Sequence, residues 1–359
     1  MKNRLLNICL AGLALSAVGL ANADPVKIFT PQLMSHAVIS GAAVSIAADS
    51  VVDGHLAAQA AVTIGAGHFA VAQDIYAGAA VTTGALSTVK NIYAGAAASV
   101  GAAAFAQNIN AGAAITLGAH ADVGFISAGA AITFGSGASG SETEWMALSN
   151  DGDIHTATDM ANALAQITIA QQALATLSTS INEQAHATHP LPTTMGGRVS
   201  LAPGVHYGSA LTLAANSTVT FTPTESPEGG NGSHHVYIVN LSEALTVGAN
   251  TTFKLGEGVE GDTATIIWNV VAAVNLGAGT EFIGKAFVSG AFNAATSDVS
   301  CGNIYATGAV SVGSIGSLSS ADEPSECRSN ANASPTDSFT ISEDGQFSVT
   351  DNTASEDYS

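Results

Sequence analysis

Aromatic rings and cations are both scarce in this chain, and each shortage excludes something. Only 6% of the 359 residues are aromatic, so a broad core packed with rings is excluded over most of the length, and the interior has to be thin and aliphatic. Eight Lys and Arg stand against 28 Asp and Glu, a net charge of -20, which disfavours nucleic acid and anionic membranes because both reward clustered cations. Charge of either sign is rare. Between residues 41 and 140 it is confined to Asp49, Asp53, Asp74, Lys90 and Asp122, too scattered for the paired acid and base of a hydrolase or lyase. No enzyme activity, cofactor or metal is therefore expected.

Short motifs are also poor in chemistry. The run Gly135–Gly140 has the glycine spacing of a dinucleotide fingerprint but is followed by acidic residues and not by a βαβ unit. Asp151-Gly152-Asp153 lacks the remaining ligands of a calcium loop. His234 and His235 are neighbours, and neighbours on a strand point to opposite faces.

What the chain has in abundance is small residues, including 38 glycines, arranged in a repeating phrase of Ala, an apolar residue, a hydroxyl residue, another apolar residue and Gly. It occurs at Val81-Thr82-Thr83-Gly84, Ala98-Ser99-Val100-Gly101, Ile115-Thr116-Leu117-Gly118 and Ile132-Thr133-Phe134-Gly135, with looser copies around Ser45 and Thr63. The preceding glycines Gly78, Gly95, Gly112 and Gly129 are 17 residues apart, a fixed period that signals a solenoid. Alternation with period two turns the flanking residues into the coil and the hydroxyl outward. A second apolar position recurs at Leu56, Ile75, Ile92, Ile109 and Ile126, so each turn has at least two strands, with Ala and Gly at the corners.

The phrase returns after residue 190 at Leu211-Thr212-Leu213, Leu245-Thr246-Val247, Val274-Asn275-Leu276 and Val310-Ser311-Val312. Between the two sets, Met160, Leu164, Ile167, Ala170, Leu174, Leu177 and Ile181 step by three and four, predicting a helix over about 156–182. Thr156 and Asp159 form its capping pair, and Pro190 and Pro192 bar its continuation. The expected division is a signal peptide at 1–23, an N-terminal β-solenoid array at 24–140, a linker and lateral helix at 141–190, a C-terminal solenoid half at 191–318, and an acidic, solvated tail at 319–359. In the tail, Phe339–Ile341 and Phe347–Val349 flank Asp344-Gly345 as a candidate hairpin. The fold class is all-β dominated: a right-handed β-solenoid with one long α-helix alongside.

The first residues combine Lys2 and Arg4 with an apolar stretch from Leu5 to Leu20 and small residues up to Ala23, the pattern of a secretory signal cleaved near Ala23. Secretion to the extracellular space or periplasm follows. Cys9 would leave with that signal. Cys301 and Cys327 would remain, either as a disulfide worth about 3 kcal/mol on the chain-entropy model or as two thiols.

From the helix onward the chain resembles the bacterial and fungal ice-binding protein family. The resemblance rests on Leu164-Ala165-Gln166 through Leu174, Pro203-Gly204-Val205-His206-Tyr207, Val236–Val239, Ile266–Val270 and Leu276–Gly284. It implies an irregular β-solenoid with a lateral helix, and adsorption to ice through a flat, weakly charged face. Against that pattern, the coils before the helix look enlarged into a regular Ala-Gly array.

Two sets of residues are candidates for such a face. The first is the file Ser45, Thr63, Thr82, Ser99, Thr116 and Thr133, with Thr212, Thr246, Asn275 and Ser311 as candidate continuations, where a β-branched threonine holds its methyl and hydroxyl in place. The second is Thr212, Thr246, Thr218, Thr220, Thr252 and Thr265. The expected partner is the ice crystal surface, with no nucleic acid, no membrane insertion and a monomeric state. The rival reading is a structural or adhesive extracellular solenoid without activity on ice, and hydroxyls on a wet strand also fit ordinary β propensity.

Overall fold

The computed structural model describes residues 25–67, 70–71, 74–142, 154–177, 187–223, 234–256, 263–296, 298–300, 302–313, 317–319, 338–341 and 347–350. Residues 1–23, Cys301, Cys327, Ile181 and Asp151–Asp153 lie outside them, and with them the expected signal peptide and disulfide.

Most turns of the chain contribute three short strands, two of which run together as one seven-residue strand at Thr88–Ala94, Phe105–Ala111 and Asp122–Ala128, and equivalent strands of successive turns pair in parallel. One wall is a sheet of 12 strands. The coils of the two halves form one continuous stack, although not in chain order. The first coil, Val44–Ile46, pairs on one side with the next, Val62–Ile64, and on the other with the last, Val310–Val312. The chain therefore enters the stack at its middle and winds outward to Phe134. It then crosses to the far end at Met195 and winds back.

The alternation read from the sequence explains the interior. Val44, Ile46, Val62, Ile64, Val81, Val100, Ile115 and Leu117 point inward and are at most 2% exposed, as are Leu56, Ile75, Ile92, Ile109 and Ile126 from the second wall. Over these coils the core is aliphatic. In the C-terminal half it is filled by Phe221, Tyr237, Phe253, Trp268, Phe282 and Phe292, whose centroids lie 5.2–6.2 Å apart, mostly edge to face, the arrangement ring quadrupoles favour. The Trp268 indole donates to the Ile283 carbonyl at 2.9 Å.

A helix runs back along the second wall. Of two described helices, α1 (Pro31–Met34) is a single turn and α2 (Ala157–Thr176) is about 30 Å long. The expected capping box is present at Thr156 and Asp159. Met160, Ile167, Ala170, Leu174 and Leu177 are buried as expected, together with Ala163 and Gln171. They pack on the outward side chains of successive coils, among them Tyr76, Ile39, Tyr305, Phe287 and Ile267. Asn240 and Asn269 donate from the wall to the carbonyls of Leu174 and Gln171. The helix thus crosses the junction of the two halves and holds coils from both.

The tail corrects one expectation. Ser338–Ile341 and Phe347–Thr350 do pair as an antiparallel hairpin, but its first strand also pairs with Val26–Lys27. Phe339 and Ile341 are 1% and 3% exposed, in the cluster that holds Phe29 and the helix. That strand is therefore a buried tie between the two ends of the described chain, not a solvated one.

Candidate functional site

No described helix covers the 12-stranded wall, and its outward residues are few because its strands have three residues each, or two at Thr194–Met195. The central one points out. In spatial order the register places Thr133, Thr116, Ser99, Thr82, Thr63, Ser45, Ser311, Asn293, Asn275, Thr246, Thr212 and Thr194 in one file. With strands about 4.8 Å apart the file is roughly 50 Å long. All of its residues are exposed except Asn275, which is half-buried.

What flanks the file makes the wall flat. Two residues before each central position stands an alanine in eleven successive coils: Ala131, Ala114, Ala97, Ala80, Ala61, Ala43, Ala309, Ala291, Ala273, Ala244 and Ala210. All of their carbonyls but that of Ala210 accept from amides of the neighbouring coil at 2.9–3.1 Å, which locks the row in register. Two residues after each central position the chain has only Gly or Ala. A Cβ on Gly84, Gly101 or Gly118 would come within 2.3–2.6 Å of the previous coil's backbone, so these corners demand glycine and nothing there rises above the threonines. The alanine row was not recognised as a surface feature from the sequence, although its period of 17 was visible, because alanine is neutral in any pattern of polar against apolar.

The first candidate file is thus brought together on one wall, and Thr212 and Thr246 of the second candidate set belong to it. The rest of the second set is scattered. Thr218 and Thr252 pair with each other on the third wall, half-buried between Arg198 and Glu281. Thr220 lies between Ser200 and Lys254. Thr265 is 1% exposed and its hydroxyl is 2.9 Å from the His234 ring, so it is not on a surface at all.

Electrostatically the hydroxyl wall is bare. None of its central or flanking residues is charged. Buried titratable groups lie elsewhere: His36, its ring tilted against that of His55 with centroids 5.2 Å apart, has its pKa lowered to about 3 by burial and by the neighbouring histidine. Burial likewise lowers that of His206. Among the described residues no three His, Cys, Asp or Glu side chains cluster as metal ligands, and no helix is long and apolar enough to cross a membrane.

The wall is thus a flat, uncharged array of methyls, hydroxyls and two amides on a solenoid braced by a helix along another wall. The sequence matches the ice-binding-like family over residues 75–316 and belongs to that family. Solved structures similar to it include the ice-binding protein of the Antarctic ascomycete Antarctomyces psychrotrophicus, at 15% identity and a TM-score of 0.42 over 84% of this chain and 100% of that one. An ice-binding protein domain from Shewanella frigidimarina is 16% identical with a TM-score of 0.45, covering 81% and 96% of the two chains. An ice-binding protein from an Arctic yeast is 17% identical with a TM-score of 0.34, covering 67% and 92%. No curated protein matches the chain.

Proposed function

We propose that this protein is exported and adsorbs to ice through the hydroxyl wall, stopping growth of the crystal front without catalysis. The observation that carries this reading is the combination of one exposed hydroxyl or amide file with an unbroken alanine row, both held in register by parallel strands. Water over such a surface meets a hydrogen-bonding group at each strand spacing and a methyl beside it, with no charge to organise hydration differently. The threonines are stiff at χ1, so little rotamer freedom is lost when the first water layer freezes. Family membership supports the same ligand.

Purified protein should show thermal hysteresis and inhibit recrystallisation, and Thr82→Tyr with Thr116→Tyr should reduce both without changing the melting temperature. A structural or adhesive solenoid would leave ice growth untouched at millimolar protein. That result, or full activity in the double variant, would defeat the proposal.

A further inference from the structure

The hydroxyl file is not uniform. Three types of side chain occupy its positions, and their order along the stack is not random. Five coils at one end carry Thr133, Thr116, Ser99, Thr82 and Thr63, and the three at the other carry Thr246, Thr212 and Thr194. Between them stand Ser45, Ser311, Asn293 and Asn275. Asn293 and Asn275 face each other on adjacent strands, and the Asn293 amide donates to the Asn275 carbonyl oxygen at 3.0 Å.

We infer that Asn275 and Asn293 interrupt the ice-ordering surface and confine the effective site to the seven coils from Thr133 to Ser311. This rests on the ice-binding reading above and assigns those two residues the role of setting the site's extent. Three physical differences separate them from threonine. An amide reaches one atom further from Cβ and stands above the plane of the neighbouring methyls. Its last torsion is broad rather than held in one staggered well. One donor and one acceptor of the pair are spent on each other along the file, so the groups offered to water no longer repeat at the strand spacing.

Contiguity matters because the orientation cost of adsorbing a rigid body is met once, while each further matched group adds to the same event. Two separated blocks therefore bind less strongly than one block of the same total length. The seven-coil block has the greater uninterrupted length, with Asp49 exposed at its rim four residues after Ser45. The three-coil block has exposed Glu243 at its rim, directly before Ala244.

Three variants of the full protein test this, each first checked for an unchanged circular dichroism spectrum and melting temperature. Thr116→Tyr, in the long block, should lower thermal hysteresis roughly fivefold or more, and Thr246→Tyr, in the short block, less than about twofold. Asn275→Thr combined with Asn293→Thr should raise activity above that of the natural sequence, an outcome that a purely structural role for the asparagines cannot give. Equal losses at Thr116 and Thr246, or a double threonine variant no more active than the parent, would overturn the inference while leaving ice binding intact. Unchanged activity in both tyrosine variants would instead overturn the ice-binding reading of this wall.

Discussion

The two halves of the coil solve the same corner with different residues. After each hydroxyl strand the chain turns through one residue in the left-handed region. In the C-terminal half that residue is Asn216, Asn250 or Gly279, types that tolerate the conformation. The next residue there is Ser217, Thr251 or Thr280, whose buried hydroxyl donates to the carbonyl three residues back at 2.6–2.8 Å. In the N-terminal array Asp49 and Gly137 hold the left-handed position at either end, but between them it falls to Leu86, Ala103 and His120, and after Ser87 the hydroxyl gives way to Ala104 and Ala121. The array also lacks the ring-packed core of its partner. Uniform repetition of a small-residue coil has been kept at the expense of locally favourable turns and a thick interior, which is what a protein would show if the array's worth lay in its outer surface.

The largest way to sharpen this contrast is in the two cores. Trp268→Ala should destabilise by about 3–5 kcal/mol, because the ring is fully buried and its indole hydrogen bond is lost as well. Ile109→Ala, at an equally buried position of the array, should cost nearer 2–3 kcal/mol, since a smaller cavity is left. Urea titration of both variants measures the difference, and equal losses would refute a thin array interior.

Acid should act next, at the junction. His36 is buried with a pKa lowered to about 3, so the folded state resists its protonation. Stability is then complete above the unfolded value near 6.5 and falls as pH drops from there toward 3, by about 1.4 kcal/mol per pH unit for this group. The electrostatic influence of the nearby His55 and His155 lowers the His36 pKa in the same direction. Unfolding midpoints at pH 7 and pH 5 read the slope, and a flat profile would contradict the burial of His36.

The array should gain where it has been left locally unfavourable. The Thr83 hydroxyl is buried without a hydrogen-bond partner, so Thr83→Val should stabilise by about 1 kcal/mol. Ala103→Gly removes a side chain from a residue with φ of 53° and should add about 0.5–1 kcal/mol. The reverse experiment in the C-terminal half, Asn250→Ala, should lose a similar amount. If Ala103→Gly destabilised instead, the claimed strain at the array's corners would be wrong.

How far the sequence foretold this molecule depends on the range of the interaction. The helix start was legible because a capping box is local, and the inward and outward positions were legible because alternation is local too. The order in which the two halves stack was not. The pairing of Ser45 with Ser311 joins residues far apart in the chain, and parallel pairing of that kind leaves no signal in either strand alone. In the array the third-wall segment, such as Thr88–Val89 against Phe105–Ala106, contributes only one inward residue per coil, at Val89, Ala106 and Val123, below what alternation can register. Thr265 misled because a threonine on a strand reads as exposed until the strand is known to lie against other side chains. The hairpin was visible, but its burial depended on Val26–Lys27 at the opposite end of the chain.

The most direct measurement compares two walls of one molecule for uptake into a growing ice hemisphere. A tyrosine pair at Thr82 and Thr116 on the hydroxyl wall is set against a single Thr88→Tyr on the third wall, where Thr88 is equally exposed and pairs with Phe105. The hydroxyl-wall variant should be left behind in the liquid while Thr88→Tyr enters the ice like the parent protein. Equal uptake of the two variants, or exclusion of Thr88→Tyr alone, would contradict the assignment of ice binding to the hydroxyl wall.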